Sequence, residues 1–244
     1  MSIRFVECPA ADLAFYVLAR LDLGADAASV WDPFLPAAPR ALLDAYAAAP
    51  GRLWLHWAPL WLADDERDVG ALVSLLARTP ALGDPAGRTL GALFVEAARE
   101  SSAAHAARGG ARWSGASLSA PIERVRAALW APGRPPPLRV LHAPSLRGHG
   151  RAATVRGQRV VATSLAEPPD QVICQILHEE THPVTDPAVR LDGPRDTRAG
   201  QPGHGEHLRL ERAAVERTGE ALAQAAPELL PAYAAWRRRF GMEP

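Results

Sequence analysis

The chain has 244 residues, enough for one large domain or two small ones with a real hydrophobic core. Hydrophobic residues make up 48% and charged residues 22%, the balance of a globular protein rather than a disordered chain. The formal charge is zero, so the chain lacks the positive field that nucleic acid or an anionic membrane demands of a partner.

Met1 to Glu7 carries no basic segment followed by an apolar one, so no secretion signal is expected there. Ala10 to Leu21 and Pro39 to Ala48 carry apolar residues at helical spacing, the second through Leu42, Leu43 and Tyr46. Leu53 to Leu62 is the longest apolar stretch and is too short to span a bilayer. Within it Trp54, Trp57 and Trp61 stand at the helical spacing of core packing, and His56 reads as an interior or boundary histidine. Asp64-Asp65-Glu66 supplies an acidic first turn for a helix running to about Arg78. Further helices are expected from Pro85 to Arg108 and from Ser119 to Leu129. No internal period of about 20 to 50 residues marks a solenoid.

Pro132-Gly133-Arg134-Pro135-Pro136-Pro137 cannot continue a helix and reads as a stiff connector. It separates a helical N-terminal region, 1–131, from a region of different pattern, 138–244, with one continuous domain left open. Leu138 to Leu141 reads as a strand. Ala152 to Val155 and Gln158 to Ser164 read as a hairpin around Arg156-Gly157. Glu167-Pro168-Pro169-Asp170 starts a helix whose buried stripe is Val172, Ile173, Ile176 and Leu177. Cys174 on that helix and Cys8 are far apart in sequence, so no disulfide framework is expected and a reducing, cytoplasmic setting fits. Cys174 itself reads as a buried, inert thiol.

Pro183 to Gly205 reads as a long, mobile loop bordering a cleft. Its Arg190, Arg195 and Arg198 read as solvated charges, because all 27 basic residues of the chain are arginine. A last pair of helices spans about Glu206 to Ala225 and Pro227 to Phe240. The expected fold class is α+β and mostly helical, with two site-bearing helices beside a small sheet.

The chemistry concentrates in His178-Glu179-Glu180-Thr181-His182. Residues four apart share one helix face, so the two imidazoles can aim at one point while Glu179 stands beside it. That is the mechanical content of H-E-x-x-H: two metal ligands, and a base within reach of the water at the metal. The run from His178 through His182 to Pro183-Val184-Thr185-Asp186 resembles the thermolysin-type motif of the zincin metallopeptidases, with a similar Thr before the second His and a similar Val-Thr-Asp after it. The preceding strand Gln158 to Ser164 stands in the order in which zincins place a substrate-pairing edge strand. Pro183 departs from the pattern; it disfavours helix at His182 and removes a backbone donor, so the helix is expected to end or kink there.

A catalytic zinc takes three protein ligands. The residues after His182 lack the Gly and third His of the metzincins, so the resemblance implies the gluzincin class, with a Glu from a later helix. Of Glu206, Glu211, Glu216 and Glu220, Glu211 aligns with the small and apolar face of Ala214, Val215, Thr218 and Leu222. A carboxylate on a buried face needs a compensating partner, and a dication is one. Glu206, His204 and His207 remain the alternatives. Many members of the class carry an Asp four residues after the Glu, where this chain has Val215, so support for a ligand has to come from elsewhere. His207, one turn before Glu211, is the candidate to stabilise a developing oxyanion or to hydrogen-bond a ligand.

The resemblance implies a Zn2+-dependent hydrolase of peptide or protein substrates with Glu179 as general base. Two other classes stay open: a zinc-binding regulatory or interaction protein without catalysis, and a helical interaction module with a fortuitous motif.

Overall fold

A computed structural model describes residues 3–22, 38–107, 115–146, 150–193 and 203–239. The chain is α+β: eight α-helices and a four-stranded sheet among the described residues. The strands are β1 (Ile3–Glu7), β2 (Leu138–His142), β3 (Arg151–Val155) and β4 (Gln158–Thr163), in spatial order β1-β2-β4-β3. β1, β2 and β4 run parallel, and β3 returns antiparallel to β4.

Side chains alternate across a strand, and here the alternation feeds two separate cores. Val6, Leu141, Val160, Ala162, Ala153 and Val155 face α1 (Pro9–Asp22), α2 (Arg40–Ala48), α3 (Val69–Ala77) and α4 (Pro85–Ala107). Ile3, Phe5, Leu138, Val140, Val161 and Ala152 face α5 (Ala116–Leu129), α6 (Pro169–Thr185), α7 (His204–Ala225) and α8 (Leu230–Arg239). The sheet is therefore sandwiched between α1–α4 on one face and α5–α8 on the other.

The hairpin falls where expected. Arg156 at φ 50° and Gly157 at φ 79° form the left-handed pair that a two-residue turn requires. The strand Gln158 to Ser164, however, is not an edge. β4 lies between β2 and β3, because the hairpin folds β3 outward, and β3 is the edge beside α6.

Three other expectations are corrected. Residues 3–7 form a strand, paired with β2 from Ile3↔Leu138 to Glu7↔His142, where a purely helical N-terminal region was expected. The helix after the acidic run starts at Val69 and is capped by Asp68, whose carboxylate accepts from Ala71 N–H at 3.2 Å. Asp64 instead pairs with Arg4 and Arg139 at 2.8 and 2.5 Å. The tryptophan stretch folds as two 3₁₀ turns, Arg52–His56 and Ala58–Trp61, so its three rings do not share one α-helical face. Trp57 packs against the N-terminal core, whereas Trp54 and Trp61 meet edge to face with centroids 5.0 Å apart. His56 is interior: burial, and secondarily the Arg151 charge, lower its pKa to about 3, and its Nε2 lies 2.7 Å from the Tyr46 hydroxyl.

No helix among the described residues is long and apolar enough to cross a membrane. Residues 194–202 of the expected loop, with Arg195 and Arg198, lie outside the described residues, as do the expected helix ends Arg108 and Phe240.

Candidate metal centre

α6 packs its apolar stripe, including Val172, Ile173, Cys174, Ile176 and Leu177, into the C-terminal core. Cys174 is fully buried, and desolvation pushes its thiol up to about 12, as an inert structural cysteine requires. The next turn carries His178, Glu179 and His182.

α6 does not end at His182; it runs through Pro183 to Thr185. A proline there cannot donate to the carbonyl of residue 179. Arg159 supplies the missing donor, its Nη2 reaching the Glu179 carbonyl at 2.9 Å. The continuation brings Asp186 one turn past His182, and its carboxylate lies 3.0 Å from His182 Nδ1. Asp186 thus holds the ring from behind, the task that Val215 cannot perform. Sequence reasoning missed it because the helix was expected to stop; the spacing of four between His182 and Asp186 was the available signal.

α7 delivers the third group. His178 Nε2 lies 2.9 Å from Glu211 Oε2, and His182 Nε2 lies 3.5 Å from Glu211 Oε1. One ligand atom from each of His178, His182 and Glu211 falls within 4.8 Å of the others. Zinc bonds of about 2.0–2.2 Å in tetrahedral geometry place neighbouring donors about 3.3–3.6 Å apart, inside that limit, and two imidazoles with one carboxylate suit that ion. The donor set therefore fits zinc. Glu206 turns elsewhere, accepting from Asp192 N–H and Arg209. His204 is not in the cluster; its ring lies 6.0 Å from that of His207. His207 Nδ1 stands 3.5 Å from Glu211 Oε1, beside the cluster and outside the group of three.

Electrostatics mark the same point. Burial works against the charge on Glu211, but the His178 hydrogen bond and the His178, His182 and His207 rings outweigh it and hold its carboxyl far below the usual range. Burial likewise opposes charge on His182, yet the Asp186 hydrogen bond and the Glu211 and Glu179 carboxylates raise its pKa to about 9. Acidic and imidazole groups here stabilise one another, as a dication would stabilise the carboxylate. His178 Nδ1 is buried with no hydrogen-bond partner among the described residues, and its ring packs 5.0 Å from Trp236.

Glu180, the residue after Glu179, is fully buried and was not singled out from the sequence. It takes Arg126 Nε at 2.7 Å and Arg159 Nε at 3.0 Å, tying α6 to α5 and β4. Thr181 Oγ1 meets Thr218 Oγ1 at 2.8 Å, which ties α6 to α7. Comparison with family models, curated proteins and solved structures finds no match for this chain.

Proposed function

We propose that this chain is a zinc-dependent peptidase of the gluzincin type. His178, His182 and Glu211 would hold the ion, and the observation that carries the proposal is their convergence from two helices with Glu179 on the adjoining position. A bound zinc would polarise the scissile carbonyl and acidify the attacking water. Glu179 takes the water proton and hands it to the leaving amine. Asp186 fixes the His182 ring, and His207 is the candidate donor to the oxyanion.

The edge strand supports a peptide as substrate. Arg159 N–H donates to Pro137 and the Thr163 carbonyl accepts from Ala143, so odd-numbered residues of β4 bond toward β2 and even-numbered ones toward β3. By register, Ala152 and Thr154, opposite Val161 and Arg159, turn their N–H and C=O groups to the open side. An extended chain adding to that edge would run beside α6. On this reading the substrate-pairing strand would be β3 in place of Gln158 to Ser164.

Digestion of casein and a mixed-peptide library, with and without a zinc chelator, tests the proposal. Cleavage that chelator abolishes and zinc restores is expected. Bound zinc with no cleavage of any peptide would leave a metal-binding protein without catalysis.

A further inference from the structure

Gly150 stands immediately before β3 and is buried. Among the described residues the glycines at positive φ are Gly157 and Gly203, so the backbone at Gly150 is open to any L-residue. What excludes a side chain there is Glu179. A Cβ on Gly150 would lie 2.6 Å from Glu179 Cγ, 2.9 Å from Oε1 and 3.0 Å from Cδ. All three nearest atoms belong to that one side chain, so the bare α-carbon of Gly150 is the surface across which Glu179 lies. On the other side, Arg159 grips the Glu179 carbonyl at 2.9 Å. The Glu179 carboxylate itself has no hydrogen bond to a described residue that would orient it.

We infer that Gly150 is a positioning residue for the carboxylate of Glu179, acting by the absence of a side chain; this rests on the reading of Glu179 as general base. Glutamate has three rotatable bonds, and a methyl group at position 150 would turn the carboxylate away while leaving His178, His182 and Glu211 in place. Displacements of about 1 Å at a catalytic group cost about 100-fold in rate.

The test compares Gly150→Ala in the wild-type and Glu179→Gln backgrounds, with zinc content, kcat and KM on a casein-derived peptide, and crystal structures of wild type and Gly150→Ala. Zinc should stay at about one per chain, kcat should fall about 10- to 100-fold, and KM should move less than about twofold. In the Glu179→Gln background the alanine should add no further loss. Gly157→Ala, in a strained turn away from the site, should lower stability and leave kcat unchanged. If Gly150→Ala does not fold, pairing it with Glu179→Ala should restore folding, because alanine lacks all three atoms of the contact; failure of the pair to fold would count against the inference. Unchanged kcat in Gly150→Ala, or an equal loss in both backgrounds, would overturn it. If the wild type cleaves nothing, the catalytic reading falls, and the crystal comparison still decides this one: a Glu179 carboxylate left in place by Gly150→Ala refutes the positioning role.

Discussion

His182 uses both ring nitrogens: Asp186 holds Nδ1 at 3.0 Å, and Nε2 faces Glu211 at 3.5 Å. In the metal-free protein these carboxylates raise its pKa from 6.5 to about 9. The folded value exceeds the unfolded one, so this stabilisation is complete below the unfolded pKa and is lost as pH rises through the folded pKa. Metal-free protein should therefore melt at a lower temperature at about pH 9.5 than at about pH 6, and the difference should shrink in His182→Gln. A zinc ion bound through His182 would displace the same proton, so binding at about pH 7.5 should release about one proton, read from binding heats in buffers of different ionisation enthalpy. No proton release would mean that His182 is not a ligand. The clustering of His178, His182 and Glu211 was legible in the sequence, since spacing named the two histidines and helical face named the glutamate. Asp186 was not, because its relation to His182 exists only if the helix survives Pro183.

That survival is decided between elements. An interior proline costs a helix about 3 kcal/mol, partly through the carbonyl it leaves without a donor. Arg159 on β4 answers that carbonyl and, through Glu180, joins the buried pair with Arg126 of α5. Removing the shared carboxylate would leave two buried guanidinium groups uncompensated. Glu180→Ala should therefore destabilise the protein by about 3–5 kcal/mol in urea unfolding, far beyond the effect of an exposed ion pair. A loss below about 1 kcal/mol would show that the network holds nothing. Periodicity gave α6 and α7, and Arg156-Gly157 gave the hairpin. The Glu180 network escaped notice because a charge between two helical ligands looks solvated until distant arginines are brought to it.

Across the whole molecule, the sheet joins what the proline-rich segment divides in sequence. β1 pairs along its length with β2, and Arg139 on β2 reaches the Leu62 carbonyl at 2.7 Å. Val160 and Ala162, from the hairpin near the candidate site, pack into the N-terminal core. A buried valine such as Val160 is worth about 1.5–3 kcal/mol, and residues 138–244 alone would expose that full face of the sheet. That fragment should not bind zinc stoichiometrically, and the full chain should unfold in one transition by near- and far-ultraviolet circular dichroism. A folded, zinc-loaded fragment would contradict this coupling. The strand at residues 3–7 was illegible because its partner lies 135 residues away and short apolar runs carry no period of their own. The most direct test of the account is zinc content and peptide hydrolysis measured together in the wild type and Glu179→Gln. About one zinc per chain is expected in both, with hydrolysis reduced at least about 100-fold in the variant. Undiminished cleavage by zinc-loaded Glu179→Gln, or no zinc in either protein, would contradict it.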